Sequence, residues 1–477
     1  MSLPAALTLA PIFVLVAGAA SAQPPPAAPQ PAAPTAPGKP PAPPADALPE
    51  LPKVEVSDPL LAPIAPAPHV LASFHDALTT IAARSLDLAI AQQEVERAEG
   101  SSRQALAGAL TTVNGSASIT ENLLGGGTQT VNGVPVTTNN GPTGTISLSA
   151  SQPILAPRAW YAIKTAKLNV KAVQQSTDDK RRTILAQVAS SIVAVYTAER
   201  VAEINRVALR SSLQRLNLAE RKSRLGDGTR LDVLRAQQDA AVARGQLIAG
   251  DESLRKTREA LGLALGSNDP WGVPTTISLD EMQQALGGSC QTGNIEDRPD
   301  VAAARTSLEI AQRGITDSKL AFSPTAVVQS SASASKGPSS TFNDGNQTSW
   351  SISAVLNLPI WEGGARYGTM RIARANAEQA KLRLEAARRN ANIDANQALR
   401  SVSVAEQARV VSEQNRDLAR EAARLAERAF AAGAGTSFDL VDAGRQERNA
   451  ELDLAVKEFD LIRSRIASLL ATANCNY

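Results

Sequence analysis

The stretch Asp227–Leu234 reads DGTRLDVL, and Ala434–Val441 reads AGTSFDLV. Each carries Gly-Thr, two further residues, an Asp and then aliphatics. Gly226-Asp227-Gly228 and Gly433-Ala434-Gly435 interrupt the helices just before the Thr, since glycine at a helix end accepts the left-handed C-cap backbone without steric cost. Thr229 and Thr436 then stand at the N-cap of the next helix. Asp232 and Asp439 lie three residues on, where a carboxylate completes a capping box and favours the helix dipole. The phrase is a helix-turn-helix instruction, and the chain carries it twice.

The recurrence extends outward from this phrase. SQPILAPRAWY faces NLPIWEGGARY, pairing Pro153 with Pro359 and Tyr161 with Tyr367. LDLAIAQQEVERA faces PDVAAARTSLEIA, pairing Asp87 with Asp300 and Glu96 with Glu309. The order is kept while the offset drifts slowly, as a duplication with small insertions produces. Each copy opens with a helical stretch, about Val70–Gly108 and Pro299–Phe322. Two alternating segments follow, about Thr111–Thr120 with Thr143–Leu155, and about Thr325–Ser335 with Gln347–Trp361. The loops between them are rich in the turn formers Gly, Asn, Pro and Thr.

The alternating segments put Trp350, Ile352, Ala354, Leu356 and Leu358 on one face and Ser351, Ser353, Val355 and Asn357 on the other. Ile146, Leu148 and Ala150 oppose Thr145, Ser147 and Ser149 in the same way. Period two with one apolar face fits a half-buried strand of a soluble sheet and equally a strand of a membrane barrel. Trp350 and Trp361 bracket the apolar band as an aromatic girdle does.

The chain is then free of Gly and Pro from about Arg158 to Leu225, and broken only by Gly368 from about Ala365 to Ala432. A helix of that length is on the order of 100 Å long. Leu185, Val188, Ile192 and Val195, and likewise Leu418, Ala422, Leu425 and Ala429, are spaced as a coiled-coil seam. A second helix follows each Gly-rich break, so each copy ends in a long helical hairpin tipped by the repeated phrase. One turn later the copies diverge: Arg235 stands where copy two has Asp442, and Gln238 where it has Arg445. Opposite charges at matching positions read either as a cross-hairpin pairing or as a solvated helix face.

Composition narrows the function. The formal net charge of +2 argues against nucleic-acid binding, and 3% aromatics with abundant Ala, Leu, Arg and Glu suits long packed helices. Two histidines, His69 and His75, read as ordinary surface residues. No Ser/His/Asp constellation, zinc spacing or phosphate loop stands out, so the chain reads as no enzyme, with no metal and no cofactor. Residues 1–22 end in Ala-Ser-Ala and read as a cleaved signal peptide, the rival being an uncleaved anchor. Residues 23–68 are Pro- and Ala-rich and read as a disordered leader. Cys290 and Cys475, in an exported chain, form either a disulfide or two free thiols. Repeat 1 is placed at 69–266, a connector at 267–297 and repeat 2 at 298–474.

Two copies of helix, strand pair, long helix, Gly-rich tip and second helix resemble the TolC-type outer-membrane factors. The residues that carry the likeness are RLGDGTRLDVLRAQQDAAVA and AFAAGAGTSFDLVDAGRQERNAEL at the tips, SQPIL and NLPIW at strand ends, and EDRPDVAAAR opening copy two. The resemblance implies a mainly α protein with a membrane β-barrel: a homotrimer with one 12-stranded barrel in outer-membrane lipid, continued by an α-helical periplasmic tunnel. It implies as partners a periplasmic adaptor protein and an inner-membrane pump of RND or ABC type, with substrates passed outward and no chemistry in the duct. Drug efflux, metal efflux and type I protein secretion share this plan; a soluble periplasmic coiled-coil adaptor is the less favoured alternative. By the same likeness Asp439 and Asp442 form acidic rings at the periplasmic mouth, with Asp232, Arg235 and Arg445 as pairing groups of the gate. Leu225, Gly226, Asp227 and Gly228, with Ala432, Gly433, Ala434 and Gly435, face the adaptor. The resemblance also implies that the regions of Cys290 and Cys475 both approach the mid-tunnel belt, which favours their disulfide.

Overall fold

The computed structural model describes residues 55–121, 123, 128–131, 133–137, 141–274, 290–337, 346–471 and 473–475. The signal peptide and residues 23–54 of the leader lie outside them, as do residues 275–289 of the connector. The two copies have matching parts. Helices α1 (Phe74–Arg84) and α2 (Leu86–Ala107) open the first, and α5 (Pro299–Leu320) opens the second. The expected single helix Val70–Gly108 is two, because Ser85 both ends α1 and caps α2 with its hydroxyl. Helix α3 (Pro157–Leu225) is followed by α4 (Arg230–Ala264), and α6 (Ala365–Ala431) by α7 (Ser437–Ala471). α2 and α5 both have 22 residues, and α4 and α7 both have 35. The duplication read from sequence is thus a duplication of elements.

Ten strands complete the described chain: β1 (His69–Val70), β2 (Thr112–Thr120), β3 (Thr128–Val131), β4 (Val134–Thr137), β5 (Thr143–Leu155), β6 (Trp271–Gly272), β7 (Cys290–Thr292), β8 (Thr325–Lys336), β9 (Asn346–Asn357) and β10 (Ala473–Cys475). β2, β5, β8 and β9 form one antiparallel sheet in that order, so β5 and β8 join the copies. β9 ends at Asn357, short of the expected Trp361, which lies in the irregular segment before α6 and is exposed. The β3–β4 hairpin stands where the sequence reads as plain loop; its Asn132-Gly133 pair is the two-residue hairpin signal, and Gly133 takes a φ of 82°.

The register sorts the sheet into two chemistries. Ser116, Ser147, Ser333 and Ser349 lie in one cross-strand row, and Asn114, Ser149, Ser331 and Ser351 in the next. Their hydroxyls link strand to strand, at 2.7 Å for Ser116–Ser147 and 2.8 Å for Ser333–Ser349. On the other face Gly115, Leu148, Ala332 and Trp350 share a row. Ile119, Ile146, Trp350, Ile352 and Leu356 are all more than two-thirds exposed. A soluble sheet buries one face; this one buries neither.

The main core sits midway along the helices. Leu185, Val188, Ile192 and Val195 of α3 are all but fully buried against Phe74, Leu78 and Ile81 of α1, Leu254 and Leu261 of α4 and Ile466 and Leu470 of α7. This is the seam expected from spacing. One stretch of α3 is apolar enough by length and composition to cross a membrane as a helix; Leu185, Val188, Ile192 and Val195 of α3 go instead into this core. The second expected seam behaves otherwise: Leu418 is 73% exposed and Leu425 40%. α6 packs instead through Ala377, Ala380, Leu384, Ala391, Ala395 and Ala405. Spacing identified an apolar stripe there, but that stripe turns away from the chain.

Two further ties hold the waist. Arg298, 5% exposed, holds Asp300 at 2.8 Å, Asp394 at 3.0 Å and the Ala471 carbonyl at 3.2 Å. It fastens the start of copy two to α6 and α7. Residues 55–68, expected to be disordered, are partly a strap on α3 and α4. Val56, Leu60 and Leu61 pack on Leu209, Leu213, Ala240 and Leu247, and Asp58 meets Arg244 at 2.9 Å. The Asp58 carboxyl is held below its ordinary value by the Leu60 amide and by Arg244, against the upward push of burial. Removing methylenes from the waist core leaves a void that rigid helices fill poorly. Ile192→Ala is expected to cost about 2–5 kcal/mol and Ile192→Val about 0.5–1.5 kcal/mol, measured as the shift of the denaturation midpoint of the detergent-solubilised protein.

Candidate functional site

The tips of the two hairpins are built alike. The C-cap of α3 is Gly226, left-handed with a φ of 85°, and the C-cap of α6, Ala432, is followed by Gly433 with a φ of 76°. At Gly228 and Gly435 an added Cβ would come within 3.0 Å of the preceding helix backbone, at Ser223 N and Phe430 N. Only glycine lets the chain turn back this tightly. Thr229 accepts from the Asp232 amide at 3.2 Å while Asp232 accepts from the Thr229 amide at 2.9 Å, closing the expected capping box. Thr436 and Asp439 repeat it, at 3.2 Å in both directions. Leu225, Gly226, Asp227, Ala432, Gly433 and Ala434 are exposed, and Gly228 and Gly435 half-buried.

The hairpins touch through Asp232 and Arg235, which the sequence reading singled out, and through Ser437, Lys222 and Phe430, which it did not. Ser437, 4% exposed, donates a short hydrogen bond to Asp232, and Arg235 reaches Ser437 at 3.4 Å. Lys222 donates to the Phe430 carbonyl and stands 4.5 Å over that ring. Burial pushes the Asp232 carboxyl upward, but the hydrogen bonds from Ser437 and Thr229 together outweigh it and hold it below its ordinary value. Asp439 is also held low, by the hydroxyl and amide of Thr436. Its carboxylate is occupied with capping.

The expected charge pairings are not the ones formed within the chain. Arg235 lies over the Phe438 ring at 5.9 Å instead of meeting Asp442. Asp442, half-buried, accepts from Gln446 of its own helix at 2.7 Å. Arg445 stands 3.6 Å from Asp239, not beside Asp232. Asp239 is fully buried and holds Arg215 of α3 at 2.8 Å. The reason is axial rise: Arg445 lies about two turns beyond the cap, level with Asp239 on the neighbouring helix. Its offset of 207 residues to Gln238 was the signal that could have found Asp239, the next residue. At the waist the backbones of Cys290 and Cys475 face one another in the β7–β10 ladder.

The comparisons with known proteins fit this architecture. The model of a family described as outer membrane efflux protein matches residues 77–267 and 294–467. The chain is 27% identical to Nodulation protein T of Rhizobium leguminosarum bv. trifolii over 335 residues, 68% of this chain and 70% of that one. It is 26% identical to the toluene efflux pump outer membrane protein TtgF of Pseudomonas putida over 187 residues, 39% of each. Among solved structures, the outer membrane protein VceC of Vibrio cholerae superposes with a TM-score of 0.69 at 19% identity, covering 83% of this chain and 95% of that one.

Because Asp232 is held low, the Ser437 link contributes fully above the ordinary carboxylate value of 3.8 and is lost only as pH falls through the lower folded value. Spin labels at Leu231 and Gln446 are expected to report one interhelical distance at pH 7 and pH 5. The distance is expected to broaden below about pH 4. Ser437→Ala is expected to produce the broadening at neutral pH, through a loss of about 1–2 kcal/mol.

Proposed function

We propose that this chain, which belongs to the outer membrane efflux protein family, forms the outer-membrane duct of an envelope-spanning export system. The observation that carries the reading is the sheet: apolar residues exposed on one face, a serine row on the other, and an open edge at β2 and at β9. Lipid satisfies the first, a water-filled lumen the second, and further copies of the chain the third. Three copies supply twelve strands, an even number that closes a barrel.

The helices support the same assembly. α6 exposes Leu382, Ile393 and Val404 at spacings of eleven, then Val411, Leu418 and Leu425 at spacings of seven. Such spacings keep one stripe on one side of a long helix. In the trimer that stripe packs on the hairpin of the next copy. The tips then converge at the periplasmic mouth, where Asp442 and Asp439 form acidic rings. Of the two, Asp442 is the better gate residue, since Asp439 serves its cap. The exposed tip residues Leu225–Gly228 and Ala432–Gly435 offer the surface to a periplasmic adaptor, itself joined to an inner-membrane pump. A Cys290–Cys475 disulfide fits the facing backbones, because opposed residues of an antiparallel pair lie within disulfide range.

Two measurements test this reading. Val411→Glu places a charge in the stripe, and the heat-sensitive trimer of the outer-membrane fraction is expected to give way to monomer; retained trimer would remove the stripe from the interface. Asp442→Ala is expected to raise single-channel conductance in planar bilayers and abolish block by multivalent cations. Conductance and block like those of the unmodified channel would remove Asp442 from the gate.

A further inference from the structure

Above the tips, α3, α6 and α7 border a half-open pocket of about 250 Å³, lined among others by Arg215, Arg420, Gly444, Glu447, Arg448 and Glu451. Its charges do not balance. Its lining carries four arginines, Arg200, Arg215, Arg420 and Arg448, against three glutamates; Arg420 holds Glu451, Arg206 holds Glu203 at 3.0 Å, and Glu447 makes no ion pair among the described residues. Arg215 holds the buried Asp239 at 2.8 Å, and Arg445 approaches the same carboxylate at 3.6 Å. Arg448 has nothing: it is 7% exposed, its Nε has no acceptor, and it makes no ion pair among the described residues. The guanidinium groups of Arg215, Arg445 and Arg448 therefore gather about Asp239, with Glu447 as the one further carboxylate of the lining not held by an arginine. Burial pushes the Arg448 guanidinium toward giving up its proton; Asp239 opposes this, and Arg215 and Arg445 add to it.

A buried charged donor without a partner is costly, and native proteins leave one only where water or an ion completes it. Water supplies an acceptor but leaves the excess charge. An anion supplies both. α7 also presents bare backbone here: a Cβ on Gly444 would lie 2.9 Å from Arg215 Nη1, so glycine leaves the guanidinium room beside the cavity. Guanidinium forks match oxyanions in shape and charge. One unpaired carboxylate, Glu447, also lines the space. It disfavours an anion that carries no proton and accepts a hydrogen bond from one that does.

We propose that this cavity binds inorganic phosphate, with Arg448 and Arg215 holding its oxygens and Glu447 accepting its O–H, in preference to sulfate, which has no proton to give. The site is assembled from α3 of one hairpin and α6 and α7 of the other. A ligand that binds only the assembled arrangement stabilises it in proportion to its occupancy. Bound phosphate thus ties the hairpins together; that this holds the duct closed rests on the function proposed above, whereas the binding does not.

The test is a titration of the full-length, detergent-solubilised protein with sodium phosphate, against sodium sulfate and sodium chloride at matched ionic strength. The readouts are phosphorus NMR line width, or competition where the anion is silent, and the thermal midpoint. Saturable phosphate binding, tighter than that of sulfate, is expected. Arg448→Gln is expected to weaken it by about tenfold or more, and Arg448→Lys to retain part. Glu447→Gln is expected to narrow the preference over sulfate. Unaltered helical circular dichroism shows that each variant folds. No phosphate effect beyond that of chloride, equal binding by Arg448→Gln, or equal affinity for sulfate would each overturn the proposal. Conductance in phosphate against chloride then reads the coupling separately: bound phosphate without lowered conductance overturns the coupling and leaves the site.

Discussion

Every large feature of this chain follows from apolar surface that the chain cannot cover by itself. The sheet β2–β5–β8–β9 exposes Ile146, Leu148, Trp350 and Ile352 to its surroundings, and α6 exposes a stripe over some forty residues. At roughly 25 cal/mol per Å² of apolar area, such faces are too costly to leave in water. The two are covered differently. A strand face with an apolar band and a hydroxyl-lined reverse suits lipid on one side and water on the other. A helix stripe at spacings of seven and eleven suits another helix. Membrane insertion and oligomer formation are therefore two answers to one constraint, set by residues in different parts of each copy.

The contacts that join the hairpins at the tip are of another kind. Ser437 with Asp232, Arg235 with Ser437, and Lys222 with Phe430 are single polar links with modest net strength. The caps beneath them, at Gly226, Thr229, Gly433 and Thr436, are local and independent of the partner hairpin. A hairpin can thus move against its neighbour without unwinding its own tip. The waist is built to resist such motion, with Ile192, Ile81 and Leu261 fully buried and Arg298 fixed on three acceptors. Rigidity is concentrated at mid-height, and the lower ends are left to weak forces.

The duplication, the hairpin tips, the four long strands and the α3 seam were legible from sequence, because each rests on local rules: glycine at positive φ, a capping box, period two, and period three to four. What was not legible is which side of a helix meets what. Leu418 and Leu425 have the spacing of a buried seam yet lie exposed, since spacing defines a stripe and not its partner. Asp232, Arg235 and Arg445 were singled out by charge, but the partners they take depend on axial rise and packing between elements two hundred residues apart. Asp239 looks like one of many acidic residues on a helix, and only the 207-residue offset of Arg445 to its neighbour Gln238 points to it. The strap at residues 55–68 was hidden by its composition: proline disfavours long helices and strands but permits a docked chain with one short 3-10 turn, Pro59–Leu61. Four apolar residues, Val56, Leu60, Leu61 and Ile64, are enough to hold it on the helices.

Apart from Asp232, which matches Asp439, the polar residues that join the hairpins stand where the two copies differ. At the tip offset of 207 residues, Arg215 corresponds to Ala422, Asp239 to Gln446, Arg445 to Gln238, Arg448 to Ala241 and Gly444 to Gln237. Lys222 corresponds to Ala429, and Ser437 to Arg230. Two identical hairpins arranged around a ring would make one kind of contact everywhere, within a chain and between chains. This chain instead places buried charge where its own α3 meets its own α7, and an aliphatic stripe on the free side of α6. The stripe too has lost its likeness, since Leu418 corresponds to Ser211 and Val404 to Thr197. A ring of such chains alternates two interfaces of unlike chemistry: an apolar one that resists separation, and a charged, hydrogen-bonded one sensitive to ions and to acid. Repetition supplies equivalent parts, and divergence decides which of the joints between them is able to yield.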